Sequence, residues 1–245
     1  MKILCANPLA QYDKYKIEIK EAINNVLISG KYILGDQVDF LEKEFSEFLD
    51  INHVIGVANG TDALEIVLRA LGIGYGDEVI TVSHTAVATV AAIECVGARP
   101  VLTDINLESF NIDLEKICEL INDKTKAIIP VHLYGRGADV IKLKDICESY
   151  KIHLIEDCSQ AHGLRINQNK RAGTIGIAGC FSCYPTKNLG GIGDAGLIST
   201  NSDELASKIR SLRQYGWEKR NDSQLKGRNS RLDEIQAAIL RVKLK

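Results

Sequence analysis

Lys126-Ala127-Ile128-Ile129-Pro130-Val131-His132, then residues 140–150, then His153-Leu154-Ile155-Glu156-Asp157: across this stretch the apolar pattern switches from strand to helix and back. The middle segment carries Ile141, Leu143, Ile146, Cys147 and Tyr150 at helical spacing. The flanking runs are short, rich in β-branched residues and apolar at nearly every position. A strand that is apolar throughout is buried on both faces, and strands of that kind joined by a helix pair in parallel. The unit predicted is strand, crossover helix, parallel strand.

The same alternation extends in both directions. Further strands are expected at 54–58, 78–82, 99–104, 178–183 and 196–200, with an amphipathic helix over 63–71 that places Leu64, Val67, Leu68 and Leu71 on one face. The fold expected is α/β, a mostly parallel central sheet flanked by helices, with ligands gathering at the C-terminal ends of the strands. Residues 1–50 read as an N-terminal segment of one or two surface helices with Phe45 and Phe48 facing inward. Residues 51–245 read as one large α/β domain, mainly helical from Leu205 onward and ending in a helix over 233–244.

Bulk properties narrow the function. A chain of 245 residues, 45% hydrophobic and 25% charged, has enough material for a substantial core. With 30 basic against 32 acidic side chains there is no surplus to attract nucleic acid or an anionic membrane. No run approaches the roughly 20 apolar residues of a membrane span, and residues 1–8 lack the pattern of a secretory signal. A cytoplasmic location is expected. The seven cysteines are scattered, and Cys180 and Cys183, although spaced C-x-x-C, have no second pair, so buried free thiols are expected. The five histidines form no H-x-x-x-H pair, and no metal site is expected.

Four segments follow predicted strands. In Ala58-Asn59-Gly60-Thr61-Asp62 a strand ends, glycine turns the chain and a helix begins. Its free N–H groups and hydroxyl suit a phosphate, or the segment is a plain cap. In Glu156-Asp157-Cys158-Ser159-Gln160-Ala161-His162-Gly163 the two carboxylates point to opposite faces, so one can face a crevice and meet a cation, or cap the next helix. In Phe181-Ser182-Cys183-Tyr184-Pro185-Thr186-Lys187 a lysine stands on a loop just past a strand end, which suits a reactive amine as well as a surface one. Gly191-Ile192-Gly193-Asp194-Ala195-Gly196 matches a dinucleotide fingerprint in form, but it precedes a strand rather than a helix. Its glycines are read instead as letting backbone pass close beside the lysine and a bound cofactor.

Together with Pro130-Val131-His132-Leu133-Tyr134-Gly135 and Asn229-Ser230-Arg231-Leu232-Asp233-Glu234, these segments resemble the DegT/DnrJ/StrS-type nucleotide-sugar aminotransferases, which have the aspartate aminotransferase fold. The resemblance implies pyridoxal 5'-phosphate as cofactor, with Lys187 forming the Schiff base and moving the proton between substrate and cofactor carbons. It implies that Asp157 pairs with the pyridine nitrogen and Gln160 contacts the ring hydroxyl. Ser182, Thr61 and the backbone of Asp62, beside Gly60, would hold the phosphate. Asn229 would reach the phosphate of a neighbouring subunit, which implies a homodimer with shared active sites. The reaction implied is ping-pong transfer of an amino group from L-glutamate to a nucleotide-linked keto sugar, a dTDP-3-oxo- or 4-oxo-6-deoxyhexose. The variant Ser83-His84-Thr85-Ala86-Val87-Ala88-Thr89 lies nearer the sugar 3-aminotransferases.

Three departures accompany the resemblance. Relatives often carry an aromatic residue where Ala86 stands, and His84 is the ring available nearby. A related branch of dehydratases replaces the lysine by histidine, and Lys187 argues against that branch. The family continues beyond Leu244 with a small C-terminal domain that closes over the substrate, so the part expected here is the large domain. The alternatives are another pyridoxal-phosphate reaction or a non-catalytic, regulatory cofactor-binding protein.

Overall fold

The computed structural model describes residues 5–245. Its main sheet has seven strands: β1 (His53–Val57), β2 (Glu78–Val82), β3 (Arg99–Thr103), β4 (Thr125–Ile129), β5 (His153–Asp157), β6 (Ala178–Ser182) and β7 (Gly196–Thr200). They lie in the order β1-β7-β6-β5-β4-β2-β3. All neighbours pair in parallel except β7, which is antiparallel to both β6 and β1. Each expected strand is present and the mostly parallel sheet is as read. The strand expected over 126–132 stops at Ile129, because Pro130 has no N–H for the ladder.

The near-continuous apolar runs follow from cover on both faces. Successive residues of a strand point to opposite sides. Thus Ile55, Val79, Ile129, Ile155 and Ile198 pack beneath α4 (Gly60–Ala70), α5 (Val87–Cys95) and α8 (Asp203–Leu212). Their neighbours Ile80, Ile128 and Leu154 meet α6 (Leu114–Leu120) and α7 (Val140–Tyr150) on the other side. That second face is completed by α3 (Asp36–Leu49) and α9 (Glu234–Leu244), which cover Val54, Phe181 and Leu197.

The described part of the N-terminal segment is helical and turns Phe45 inward as read, but not all of its helices lie on the surface. It forms three helices, α1 (Pro8–Lys14), α2 (Lys16–Ser29) and α3, and α3 belongs to the core. Val38, Leu41, Phe45 and Leu49 fall on one stripe of α3 and are all buried, with Phe45 edge-on to Phe181 at 5.2 Å between ring centroids. The region after Leu205 is not wholly helical either. A short hairpin, β8 (Trp217–Lys219) with β9 (Asp222–Ser223), separates α8 from α9. Left-handed residues Tyr215 (φ 59°), Gly216 (φ 76°) and Asn221 (φ 68°) break the helix there. Among the described residues no helix is long and apolar enough to cross a membrane.

One consequence of the topology places the site. Six strands run the same way, so their C-terminal ends share one edge of the sheet. The reversed β7 brings its first residue, Gly196, to that edge opposite both Val57 and Ser182.

Candidate active site

At this edge lies a cavity of about 480 Å³. It is lined by Gly60, Thr61 and Asp62 from the start of α4, Asp157 and Gln160 beyond β5, and Ser182 and Lys187 beyond β6. Of the residues singled out from sequence, these seven come together, and His84 and Asn229 do not line the cavity.

The α4 end is built by close approach. Asn59 caps the helix, its Oδ1 accepting from the Asp62 N–H at 2.8 Å. A Cβ on Gly60 would stand 2.6 Å from the Ser182 Cβ, so glycine is what allows the helix start to sit against β6. A Cβ on Gly196 would stand 2.4 Å from the Asn59 carbonyl oxygen. The Asp62 N–H is therefore spent on the cap, contrary to the role expected for it, and its side chain pairs with Arg228 at 3.3 Å. The N–H groups of Gly60 and Thr61, at the first two helical positions, have no intrahelical carbonyl to reach. With the Thr61 and Ser182 hydroxyls they form a group of donors at the cavity, of the kind that suits an anion.

Asp157 ends β5 and is 4% exposed. Its Oδ2 accepts from the Thr89 hydroxyl at 2.9 Å and its Oδ1 from the Ser159 N–H at 3.1 Å. Among the described residues no cation pairs with it, and a buried carboxylate so placed suits a cationic partner. Its neighbour Glu156 points to the other face, as strand alternation requires, and is satisfied there. It accepts from the N–H groups of Gly173, Ile175 and Gly176 at 2.8–2.9 Å and from His132 Nε2 at 3.1 Å. Because the Ala138 N–H donates to His132 Nδ1, the imidazole proton sits on Nε2. Burial pushes the Glu156 carboxyl up, but His132 and the amides outweigh it and hold the group below its usual range. Cys158 completes a cluster with His132 and Glu156, yet the ring nitrogens and carboxylate oxygens are already engaged, so the cluster acts as a polar clamp under the site.

The Gln160 Oε1 accepts from the Tyr134 N–H at 2.9 Å, which fixes the amide and leaves its Nε2 as a donor. Tyr134 holds a left-handed conformation (φ 56°) to make this contact. Lys187 is half-buried in a turn closed by its N–H to the Tyr184 carbonyl at 2.9 Å, and among the described residues its amine makes no ion pair. Its charge is felt by His162. Burial, and then Lys187, depress that imidazole to about 4.

Two expectations are corrected. The glycines of 191–196 do not act alike: Gly196 does let backbone pass close, at the Asn59 carbonyl, whereas Gly191 and Gly193 answer to a side chain. A Cβ on Gly191 or Gly193 would meet the Gln236 side chain at 2.7–2.9 Å, and that amide clamps Ile192 through both its N–H and its carbonyl. His84 does not supply a wall beside Ala86. It is exposed, edge-on to Tyr134 at 6.1 Å, whereas Ala86 itself lines the cavity. Asn229 is exposed and bridged to Gln214, outside this chain's own cavity. Sequence reading also passed over Thr85 and Thr89, whose i, i+4 spacing where α5 begins was the available signal.

A helix N-terminus, a buried acid with no cationic partner among the described residues and a loop lysine thus stand together at one edge of this sheet. The chain belongs to the DegT/DnrJ/EryC1/StrS aminotransferase family, whose pattern matches residues 13–245. It is 44% identical over 237 residues to a dTDP-3-amino-3,4,6-trideoxy-alpha-D-glucose transaminase of Micromonospora megalomicea subsp. nigra, covering 96% of this chain and 63% of that protein. It is 50% identical over 231 residues to a dTDP-3-amino-3,6-dideoxy-alpha-D-galactopyranose transaminase of Aneurinibacillus thermoaerophilus, covering 94% of this chain and 63% of that one. The crystal structure of S. venezuelae DesV in complex with a ketimine intermediate superposes with a TM-score of 0.94 at 42% identity, over 97% of this chain and 64% of DesV. The chain thus spans somewhat under two thirds of the length of these relatives.

Proposed function

We propose that this chain binds pyridoxal 5'-phosphate and serves the transfer of an amino group from L-glutamate to a nucleotide-linked keto sugar, a dTDP-3-oxo- or 4-oxo-6-deoxyhexose. The observation that carries this reading is the convergence of Lys187, Asp157 and the Gly60-Thr61 helix start on one cavity. The names of the two transaminases above supply the sugar class, and both specify a 3-amino product.

The bound cofactor supplies an electron sink for the substrate carbon. The residues do the rest. The Lys187 amine would hold the cofactor, and its Nζ would move the proton at the substrate carbon. The Asp157 carboxylate would face the ring nitrogen and keep its proton in place. The Gln160 Nε2 donates to the ring hydroxyl, since its Oε1 is already held by Tyr134. Gly60, Thr61 and Ser182 hold the phosphate. Asn229, exposed on this chain, is assigned to the phosphate of a second copy, so the working form is a homodimer with shared sites in the cytoplasm.

Reconstitution with pyridoxal phosphate tests the reading. The loaded protein is expected to absorb in the visible, L-glutamate to bleach that band, and a keto-sugar nucleotide to restore it. Lys187→Ala should abolish the band and lower turnover by more than about a hundredfold. A band that glutamate leaves unchanged would point to a cofactor binder without transaminase activity.

A further inference from the structure

Thr89 is fully buried, and its hydroxyl lies 2.9 Å from the Asp157 Oδ2. Four residues earlier, the Thr85 hydroxyl lies 2.9 Å from that of Thr89, and Thr85 lines the cavity. An ionised carboxylate only accepts, so the single proton of Thr89 is directed at Asp157. Thr89 Oγ1 is then left as an acceptor, and the contact between the two hydroxyls has Thr85 as donor. The order is fixed: Thr85 donates to Thr89, and Thr89 donates to Asp157.

We infer that Thr89, backed by Thr85, is a positioning residue that sets the plane of the Asp157 carboxylate against the ring nitrogen of the cofactor. This rests on the reading of the site given above. Asp157 needs such a device because its donors are neutral. The Ser159 N–H fixes Oδ1, and among the described residues only the Thr89 hydroxyl donates to the other oxygen. Without that hydroxyl the carboxylate is held at one oxygen and can turn about its terminal torsion, which is intrinsically broad. The relay also ties the acid to the first turn of α5, and so to the cavity wall formed by Ala86 and Ala88.

Thr89→Val keeps the shape and removes the proton, Thr89→Ser keeps the proton, and Thr85→Val removes the outer hydroxyl. Three quantities are measured on the 245-residue chain: the Tm without cofactor, the Kd for pyridoxal phosphate, and the position of the visible band. We expect Thr89→Val to weaken cofactor binding roughly tenfold and to move the band. Thr89→Ser should restore both, and Thr85→Val should act in the same sense by a smaller factor. A Thr89→Val protein with wild-type Kd and spectrum overturns the inference. So does a fall in unloaded Tm with unchanged spectrum, which would make Thr89 a packing residue. If Thr89→Val does not fold, Thr85→Val with a wild-type Kd and spectrum overturns it. If the wild-type chain itself gains no visible band, the reading of the site fails and the relay falls with it, a result told apart because it needs no variant.

Discussion

The residues at the cavity divide into those recognisable by type and those recognisable only by what they touch. Lys187, Asp157, Gln160, Ser182, Gly60 and Thr61 sit in short segments whose position after a strand already limits their neighbours, and each reaches the cavity. Gly60 shows how tight the arrangement is. With 2.6 Å between a hypothetical Cβ and that of Ser182, Gly60→Ala must separate α4 from β6 by the better part of an ångström. If the α4 N–H groups and the Ser182 hydroxyl hold the phosphate as proposed, the separation should weaken binding of pyridoxal phosphate by about tenfold or more. A fluorescence titration of the variant measures this, and a wild-type Kd would refute the cradle. The sequence misled at two positions, one where a hydrogen bond was already allocated and one where the side chain faces solvent. The Asp62 amide is consumed by Asn59, and His84 follows β2 on the solvent side. Neither is written in spacing, whereas the Asn59 cap could have been read from residue type.

Between elements, the least legible contacts are those that join distant parts of the chain. The strands could be placed from their apolar runs, yet the reversal of β7 could not, because a strand buried on both faces carries no mark of its direction. The cap of α3 is a second case. Gly35 stands at its N-cap and has no side chain to offer, so the helix start borrows one from α9. The Glu234 carboxylate accepts from the N–H groups of Gly35, Gln37 and Val38, each at 2.9 Å, across about 200 residues of sequence. Leu232 of the same segment packs on Gly56, and the Ser230 hydroxyl accepts from the Ala58 N–H at 3.1 Å, so residues 230–234 cover the outer strand β1 up to the Asn59 turn. Glu234→Ala removes three bonds to a charged acceptor and leaves buried donors unmet. Its expected cost is about 2–4 kcal/mol in urea unfolding, with α3 losing amide protection before the sheet does. A cost below about half a kcal/mol would show that the cap is replaced by water. Glu234→Gln should recover only part, because it keeps the geometry and gives up the charge.

At the scale of the whole molecule, the features that build the site also set how the fold responds to acid. His162 is held near 4, by burial first and by the Lys187 charge second, against an ordinary value of 6.5. As pH falls from 6.5 toward 4, the unfolded chain takes up a proton at this position while the folded chain does not. The stability of the unloaded protein therefore decreases with acid across that window, by up to about 1.4 kcal/mol per pH unit where the difference is complete. Below about 4 both states carry the proton and this contribution is flat. His153, also lowered by burial, adds to the same limb and is left in place in the comparison. His162→Gln should give a plot of stability against pH that is flatter between 6.5 and 4.5, measured by urea unfolding at fixed ionic strength. Lys187→Met should flatten it less, because the lysine charge is the smaller of the two causes. Equal slopes in the wild type and His162→Gln would mean that the imidazole reaches water and titrates normally in the folded chain. Should the slopes differ as expected, the lysine at the mouth of the cavity and the histidine behind it share one electrostatic environment, and a ligand that removes the lysine's positive charge should raise stability most in the acid half of the range.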